Sequence, residues 1–268
     1  MTLELNRIHR MDALEGLKRL ADNSIDIVVT DPPYAIASPH KSTIRHGKIV
    51  STAEAWGSWD QFHPFDYDAW LQLILSQCYR VLRPGGAAYM FTSRENNGYF
   101  VRKAVQRGFT YRNQIILAKR SPLPSFTKTN WRSGFEIAFY VTKGKPKTFN
   151  FLSQPLCNNV YTYANNRHVT DHPTEKPLEL ITRMVQVSSN PGDLVLDPFM
   201  GSGTTAVAAA QTCRRFIGFE LSAEYVAMAE GRLEGITVDG GATTAISPKE
   251  DEIRHKRTRE VVRRGKAA

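Results

Sequence analysis

The chain has 268 residues, 41% hydrophobic and 23% charged, an ordinary balance for a globular fold at a length that suits one large domain, or one with a small insert. Its formal net charge of +9 favours a polyanionic partner, nucleic acid first, against the plainer alternative of a solvated basic surface with a basic tail. Three cysteines without a Cys-x-x-Cys pair argue against a disulfide framework or a cysteine zinc site, and no apolar run suits a signal peptide or a bilayer span, so a cytoplasmic protein with no membrane partner is expected.

Helical apolar spacing runs from Asp12 to Leu20, and Asn23-Ser24 makes a turn. Residues 25–30 (IDIVVT) are a β-branched run, read as a buried parallel strand. A long helix is expected from Tyr67 to Leu82, stopped by Pro84-Gly85-Gly86, with a strand at 87–92 after it. A helix near 97–107 and strands near 113–118 and 135–141 follow. Then come a helix over 177–189 with Pro177 in its first turn, a strand at 194–197, a helix at 204–212, a strand at 216–219 and a helix at 222–233. Cys78 and Cys213 fall in helical stretches as small core residues. The alternation predicts an α/β fold, a mostly parallel sheet with helices on both faces. Three segments break it: 36–64, 119–133 and 143–171, irregular and carrying basic, aromatic and asparagine side chains. Long loops inside a compact domain tend to be functional or disordered. Trp56 and Trp59 belong either to that surface or to the core covering the sheet. One domain is expected over 1–236, with a basic tail over 237–268 that is either disordered or folds on contact.

Three motifs carry chemistry. The first, Asp31-Pro32-Pro33-Tyr34, directly follows the strand 25–30, where ligands of open α/β sheets bind. An aromatic amine is a poor nucleophile because its lone pair is delocalised into the ring. A carboxylate (Asp31) and a carbonyl (Pro32) could accept its two hydrogens and free that pair, and Tyr34 could stack on the ring. The same tetrapeptide could equally be a rigid turn capped by Asp31. The second, Asp197-Pro198-Phe199-Met200-Gly201-Ser202-Gly203-Thr204-Thr205, lies between the strand at 194–197 and a helix. Its glycines admit a ligand close to the backbone, and the helix N-terminus suits an anion. Glu220 ends the next strand 19 positions after Gly201, where dinucleotide folds keep the acid that binds ribose hydroxyls. A plain strand–turn–helix junction is the alternative. A phosphate-loop lysine is absent from this motif, which disfavours a nucleoside triphosphate. The third, His172-Pro173-Thr174-Glu175-Lys176-Pro177, precedes a helix and by itself reads best as a cap around Thr174, although Lys176 could bind a carboxylate.

Together these residues resemble the DNA amino-methyltransferases, specifically the permuted β group typical of type II restriction–modification systems. There D-P-P-Y comes first and H-P-T-x-K-P and D-P-F-x-G-S-G-T-T follow. The resemblance covers roughly residues 5–235 and includes Val81-Leu82-Arg83-Pro84-Gly85-Gly86 and Phe216-Ile217-Gly218-Phe219-Glu220. It implies a Rossmann-like, circularly permuted fold using S-adenosylmethionine, acting on double-stranded DNA by flipping the target base. Asp31, Pro32, Pro33 and Tyr34 would hold and activate the base. Asp197, Phe199, Gly201, Ser202, Gly203 and Thr204 would line the cofactor pocket, and Glu220 would bind its ribose. Asp12 would bond the cofactor's adenine, although Met11-Asp12 stands where the group usually has Gly-Asp. His172, Thr174 and Lys176 would close over its methionine end. A homodimer, and a cognate restriction endonuclease that need not touch it, belong to the same implication.

Asp at position 31 favours adenine N6 over cytosine N4, whose enzymes more often carry Ser there. No metal is called for. RNA or protein-glutamine methyltransferases usually have Asn in place of Asp31 and the cofactor motif first, and a non-catalytic DNA-binding relic would not be expected to keep the motifs intact. From composition and position, the three irregular segments would recognise the target, with Lys41, Arg45, Lys128 and Arg132 on the phosphates.

Overall fold

The computed structural model describes residues 3–34, 42–45, 48–51, 64–122, 124–125, 128–164 and 176–236. Its strands are β1 (Arg7–Arg10), β2 (Ile25–Thr30), β3 (Ser42–Arg45), β4 (Lys48–Ser51), β5 (Leu82–Thr92), β6 (Thr110–Lys119), β7 (Phe135–Thr142), β8 (Val160–Tyr163), β9 (Leu194–Asp197) and β10 (Arg215–Glu220). Its helices are α1 (Ala13–Arg19), α2 (Pro64–Val81), α3 (Asn97–Gln106), α4 (Leu178–Ser188), α5 (Thr204–Gln211) and α6 (Ala223–Leu233). Eight strands form one sheet in the order β1-β10-β9-β2-β5-β7-β6-β8, while β3 and β4 pair apart as an antiparallel hairpin. Within the large sheet β7 runs antiparallel to β5 and β6, and the other pairs are parallel.

Both faces are covered, as a mostly parallel sheet requires. Side chains alternate across each strand, so Val28 meets one layer and Val29 the other. On one side Leu17 of α1, Leu71 of α2 and Phe100 of α3 bury against Val28, Phe139 and Phe219. On the other, Met184 of α4, Ala208 of α5 and Ala229 of α6 bury against Val29, Val195 and Phe216. Leu71 and Phe139 are fully buried, so truncating either to alanine costs about 2–5 kcal/mol. Among the described residues no helix is long and apolar enough to cross a membrane.

Most expected elements appear within a few residues of their predicted bounds, and the departures have local causes. Asp12 caps α1 rather than joining it, its Oδ1 accepting the Leu14 and Glu15 N–H groups at 2.8 and 3.2 Å. Strand β1 has too few residues to show periodicity; parallel pairing with β10 makes it. Pro84-Gly85-Gly86 lies inside β5 instead of between two elements. Leu82 pairs with Ile25 and Ala87 with Ile27, so the chain bulges out between them and its backbone bonds to Lys143 and Lys147. Gly85 takes φ +85° there, which is why the bulge suits glycine. Pro177 stands just before α4 as its cap residue, and Cys213 lies beyond α5 at φ +59°, half-buried, outside any helix. Cys78 is buried in α2 as expected. Two segments expected to be irregular contain strands: β3 and β4 within 36–64, and β8 within 143–171, held by β6. Trp56, Trp59 and the tail 237–268 lie outside the described residues.

Candidate active site

Strands β1, β10, β9 and β2 are consecutive and parallel, so their carboxyl ends share one edge. An acid stands at each end: Asp12 two residues beyond β1, Glu220 closing β10, Asp197 closing β9 and Asp31 directly after β2. The first and second motifs, 166 positions apart at Asp31 and Asp197, therefore meet on adjacent strands. The Thr30 hydroxyl joins them, donating to Asp197 Oδ1 at 2.8 Å.

Asp197 faces into the fold and is only 4% exposed. Phe199 N–H donates to Oδ1 at 3.0 Å and the Thr205 hydroxyl to Oδ2 at 2.7 Å. Burial pushes its carboxyl up to about 6, although the Thr205, Thr30 and Phe199 donors each pull it down. Asp197 thus shapes the loop from beneath. Gly201 N–H donates to Glu220 Oε2 at 2.9 Å, and Ser222 N–H to Oε1 at 2.8 Å, so Glu220 ties the glycine loop to the start of α6. Gly203 caps α5 at φ +84°, and a Cβ there would fall 2.6 Å from Ala229 Cβ. Arg232 reaches from α6 to Ser202 O at 2.7 Å and to the Ser202 and Thr204 hydroxyls, both at 3.1 Å. Phe199 lies against Trp70 of α2, ring centroids 5.6 Å apart, beside the Tyr67–Trp70 stack.

This donor set fits S-adenosylmethionine. Carboxylates suit an adenine amine, ribose hydroxyls and a sulfonium; a helix N-terminus suits a carboxylate; an aromatic face suits the purine. A carboxylate has about four acceptor sites, so the backbone bonds on Asp12 and Glu220 leave capacity for a ligand.

Asp31 sits where β2 ends. The Tyr34 hydroxyl donates to its Oδ1, and Lys176 Nζ lies 2.5 Å from its Oδ2. Burial, then the neighbouring Asp31 carboxylate, pushes the Tyr34 phenol well above its ordinary value and keeps it a donor. The turn is braced from outside: Tyr67 donates its hydroxyl to Pro33 O at 2.9 Å, and Asn96 its amide to Tyr34 O at 3.4 Å. Lys176, expected at the methionine end of the cofactor, lies on Asp31, with Glu136 of β7 at 3.4 Å and the Phe91 ring 5.1 Å below.

Of the other expected residues, Lys128 and Arg132 lie exposed in the loop between β6 and β7, which leaves β6 at the same edge of the sheet. Lys128 has φ +56°, and Arg132 donates to Pro122 O. Trp131 between them is 94% exposed. Lys41, His172 and Thr174 lie outside the described residues, and of Arg45 only the backbone, in β3, is described. Sequence reasoning missed Thr30, Tyr67, Trp70, Asn96, Glu136 and Arg232. Glu136 alone left a sign, a charge inside the apolar run FEIAFYVT.

A family model described as DNA methylase matches residues 25–231. The type II methyltransferase M.HinfI of Haemophilus influenzae is 31% identical over 253 residues, which cover 87% of this chain and 69% of that protein. The crystal structure of the M1.HpyAVI–S-adenosylmethionine complex superposes with a TM-score of 0.66 at 26% identity, covering 85% of this chain and 98% of that one. The cytosine-N4-specific PvuII DNA methyltransferase reaches a TM-score of 0.70 at 20% identity over 89% and 90% of the two chains, a likeness of fold alone.

Proposed function

The chain belongs to the N6/N4 family of DNA methylases, and from that premise we propose that it methylates N6 of adenine at a fixed sequence in double-stranded DNA. S-adenosylmethionine is the methyl donor. The observation that carries the reading is the meeting of the Asp31 and Asp197 motifs on adjacent strand ends, joined by Thr30. A base presented to one motif lies beside a cofactor held by the other.

The target amine is inside the duplex, so the base is flipped out to reach Asp31. Asp31 and the Pro32 carbonyl accept its two hydrogens, which draws the nitrogen towards a pyramidal form with its lone pair free. Tyr34 stacks on the base, and Pro33, held by Tyr67, stiffens the turn. When bound, S-adenosylmethionine would supply an electrophilic methyl, its sulfur keeping the C–S pair, to the nitrogen that Asp31 and Pro32 hold. The nitrogen then sheds one proton, which Asp31 accepts and passes to water. Holding the partners in line contributes up to about 7–11 kcal/mol to such a step. Phe199 and Trp70 would wall the cofactor's purine, Asp12 would bond its amine and Glu220 its ribose, and the backbone at Gly201 and Gly203 would admit it closely. Ser202 and Thr204 are set in that loop by Arg232. Lys128 and Arg132 bind phosphates beside the site. Asp31, rather than Ser, supports adenine over cytosine.

The test uses purified protein, duplex DNA and methyl-labelled S-adenosylmethionine. Label is expected in N6-methyladenine, and is expected to vanish in Asp31→Ala with cofactor affinity retained. Label in N4-methylcytosine would replace the target base, and no label with cofactor bound would remove the reading. A homodimer belongs to the same proposal; sedimentation at twice the 30.2 kDa of the chain tests it.

A further inference from the structure

Both oxygens of Asp31 have a partner before any base arrives: Tyr34 on Oδ1 and Lys176 on Oδ2. Each oxygen keeps a second lone pair, so an incoming base amine can share Oδ2 with Lys176, and a place towards which the ammonium can shift eases that entry. The Lys176 side chain is 9% exposed and bridges two carboxylates, Asp31 at 2.5 Å and Glu136 Oε2 at 3.4 Å, above the Phe91 ring. Glu136 in turn accepts from Lys119 Nζ at 2.8 Å and from the Tyr163 hydroxyl at 3.3 Å, both through Oε1. Its second oxygen faces Lys176.

We propose that Glu136 is a positioning residue for methyl transfer: it is the second seat of the Lys176 ammonium, drawing it off Asp31 Oδ2 as the base amine enters. This inference rests on the assignment of Asp31 to the target amine. An ammonium has three donors and no acceptor, so it moves between carboxylates without changing its own protonation. Moving a buried cation requires a partner of opposite charge at the destination, since an unpaired buried charge is strongly unfavourable. Glu136 meets that condition. Burial by itself would raise its carboxyl, but Lys176 and Lys119 overcome this and hold it at about 2, so it stays ionised. Burial would likewise lower Lys176, and Asp31 and Glu136 outweigh it, holding the ammonium above its usual range. Among the described residues, the ionisable groups facing this ammonium are Asp31 and Tyr34 after β2, Glu136 on β7, and beyond Glu136, Lys119 on β6 and Tyr163 on β8.

Glu136→Gln keeps the shape and removes the charge. In steady-state methylation of duplex DNA from mildly acid to strongly alkaline pH, it should lower kcat about tenfold or more, with cofactor Kd within about twofold and KM for DNA within about threefold. The alkaline limb of kcat should move to lower pH, because Lys176 loses a carboxylate that helps to hold its proton. Glu136→Asp should recover most of both effects. Should Glu136→Gln fail to fold, Lys119→Met takes its place. Loss of that cation lets Glu136 take up a proton at higher pH, so the acid limb of kcat should rise. An unchanged kcat and alkaline limb in Glu136→Gln overturns the proposal, as does a loss that Glu136→Asp does not recover or, for Lys119→Met, an unmoved acid limb. Wild-type turnover in the same assay separates the two levels: an inactive wild type removes the assignment of Asp31 and this inference with it, whereas an active wild type with an unaffected Glu136→Gln removes this inference alone.

Discussion

Thr30→Val changes one hydroxyl to a methyl at the junction of the two motifs. Thr30 is 2% exposed, and its hydroxyl donates to Asp197 Oδ1 at 2.8 Å. The substitution leaves the β2 backbone alone and takes one of three donors from a buried carboxylate. A hydrogen bond to a charged acceptor contributes about 1.5–3 kcal/mol, so the variant should lose about 2 kcal/mol, or about 4–8 °C in Tm for a chain of this size. The glycine loop hangs from the same carboxylate through Phe199 N–H, so S-adenosylmethionine should bind at least about threefold more weakly by calorimetry. The pH dependence is specific. Asp197 is held at about 6, above an unfolded aspartate, so the folded state keeps a proton that the unfolded state has lost, and stability falls as pH rises through that window. Removing a donor that pulls the carboxyl down lifts it further and extends the fall upward. The gap between wild type and Thr30→Val should therefore be small near about pH 4 and widen to its full size by about pH 8. A variant that melts within about 1 °C of wild type at about pH 8 and binds cofactor equally well would show that Thr30 does not hold Asp197 and the glycine loop.

Gly203→Ala should cost about 2–5 kcal/mol in denaturant unfolding, from φ +84° and a Cβ 2.6 Å from Ala229 Cβ, and should weaken cofactor binding. Arg132→Ala and Lys128→Ala should each reduce the slope of log Kd for DNA against log salt by about one, and an unchanged slope would take those residues off the phosphates. Trp131→Ala should leave Tm unchanged, because the ring is 94% exposed, yet weaken DNA binding by about 1–3 kcal/mol if the ring stacks on a base; unchanged affinity would exclude it from the interface.

Strands buried on both faces announced themselves. IDIVVT and LVLD are short apolar runs bounded by turn residues, and both fall at β2 and β9 with the bounds expected. Periodicity could not reveal β1 or β8, four residues each, which exist through pairing with β10 and β6. The bulge in β5 escaped for a related reason: Pro-Gly-Gly is locally a stop, and only the backbone of Lys143 and Lys147 makes it part of a strand. At the site, the acids and glycines were legible because their chemistry is tied to local motifs. The partners that set them were not. Thr30, Tyr67, Glu136 and Arg232 act across 167, 34, 40 and 30 positions respectively, distances at which a single sequence carries no pairing information. Lys176 shows the limit most plainly: its motif suggested a carboxylate ligand, and the carboxylates it meets are the protein's own Asp31 and Glu136.

Expression in a host free of DNA methylation, with mass spectrometry of the nucleosides from that host's DNA and Asp31→Ala expressed in parallel, tests the proposed methylation of adenine N6. N6-methyladenine is expected with the wild-type chain and none with the variant. N4-methylcytosine, or no methylated base despite folded, cofactor-binding protein, would overturn the assignment.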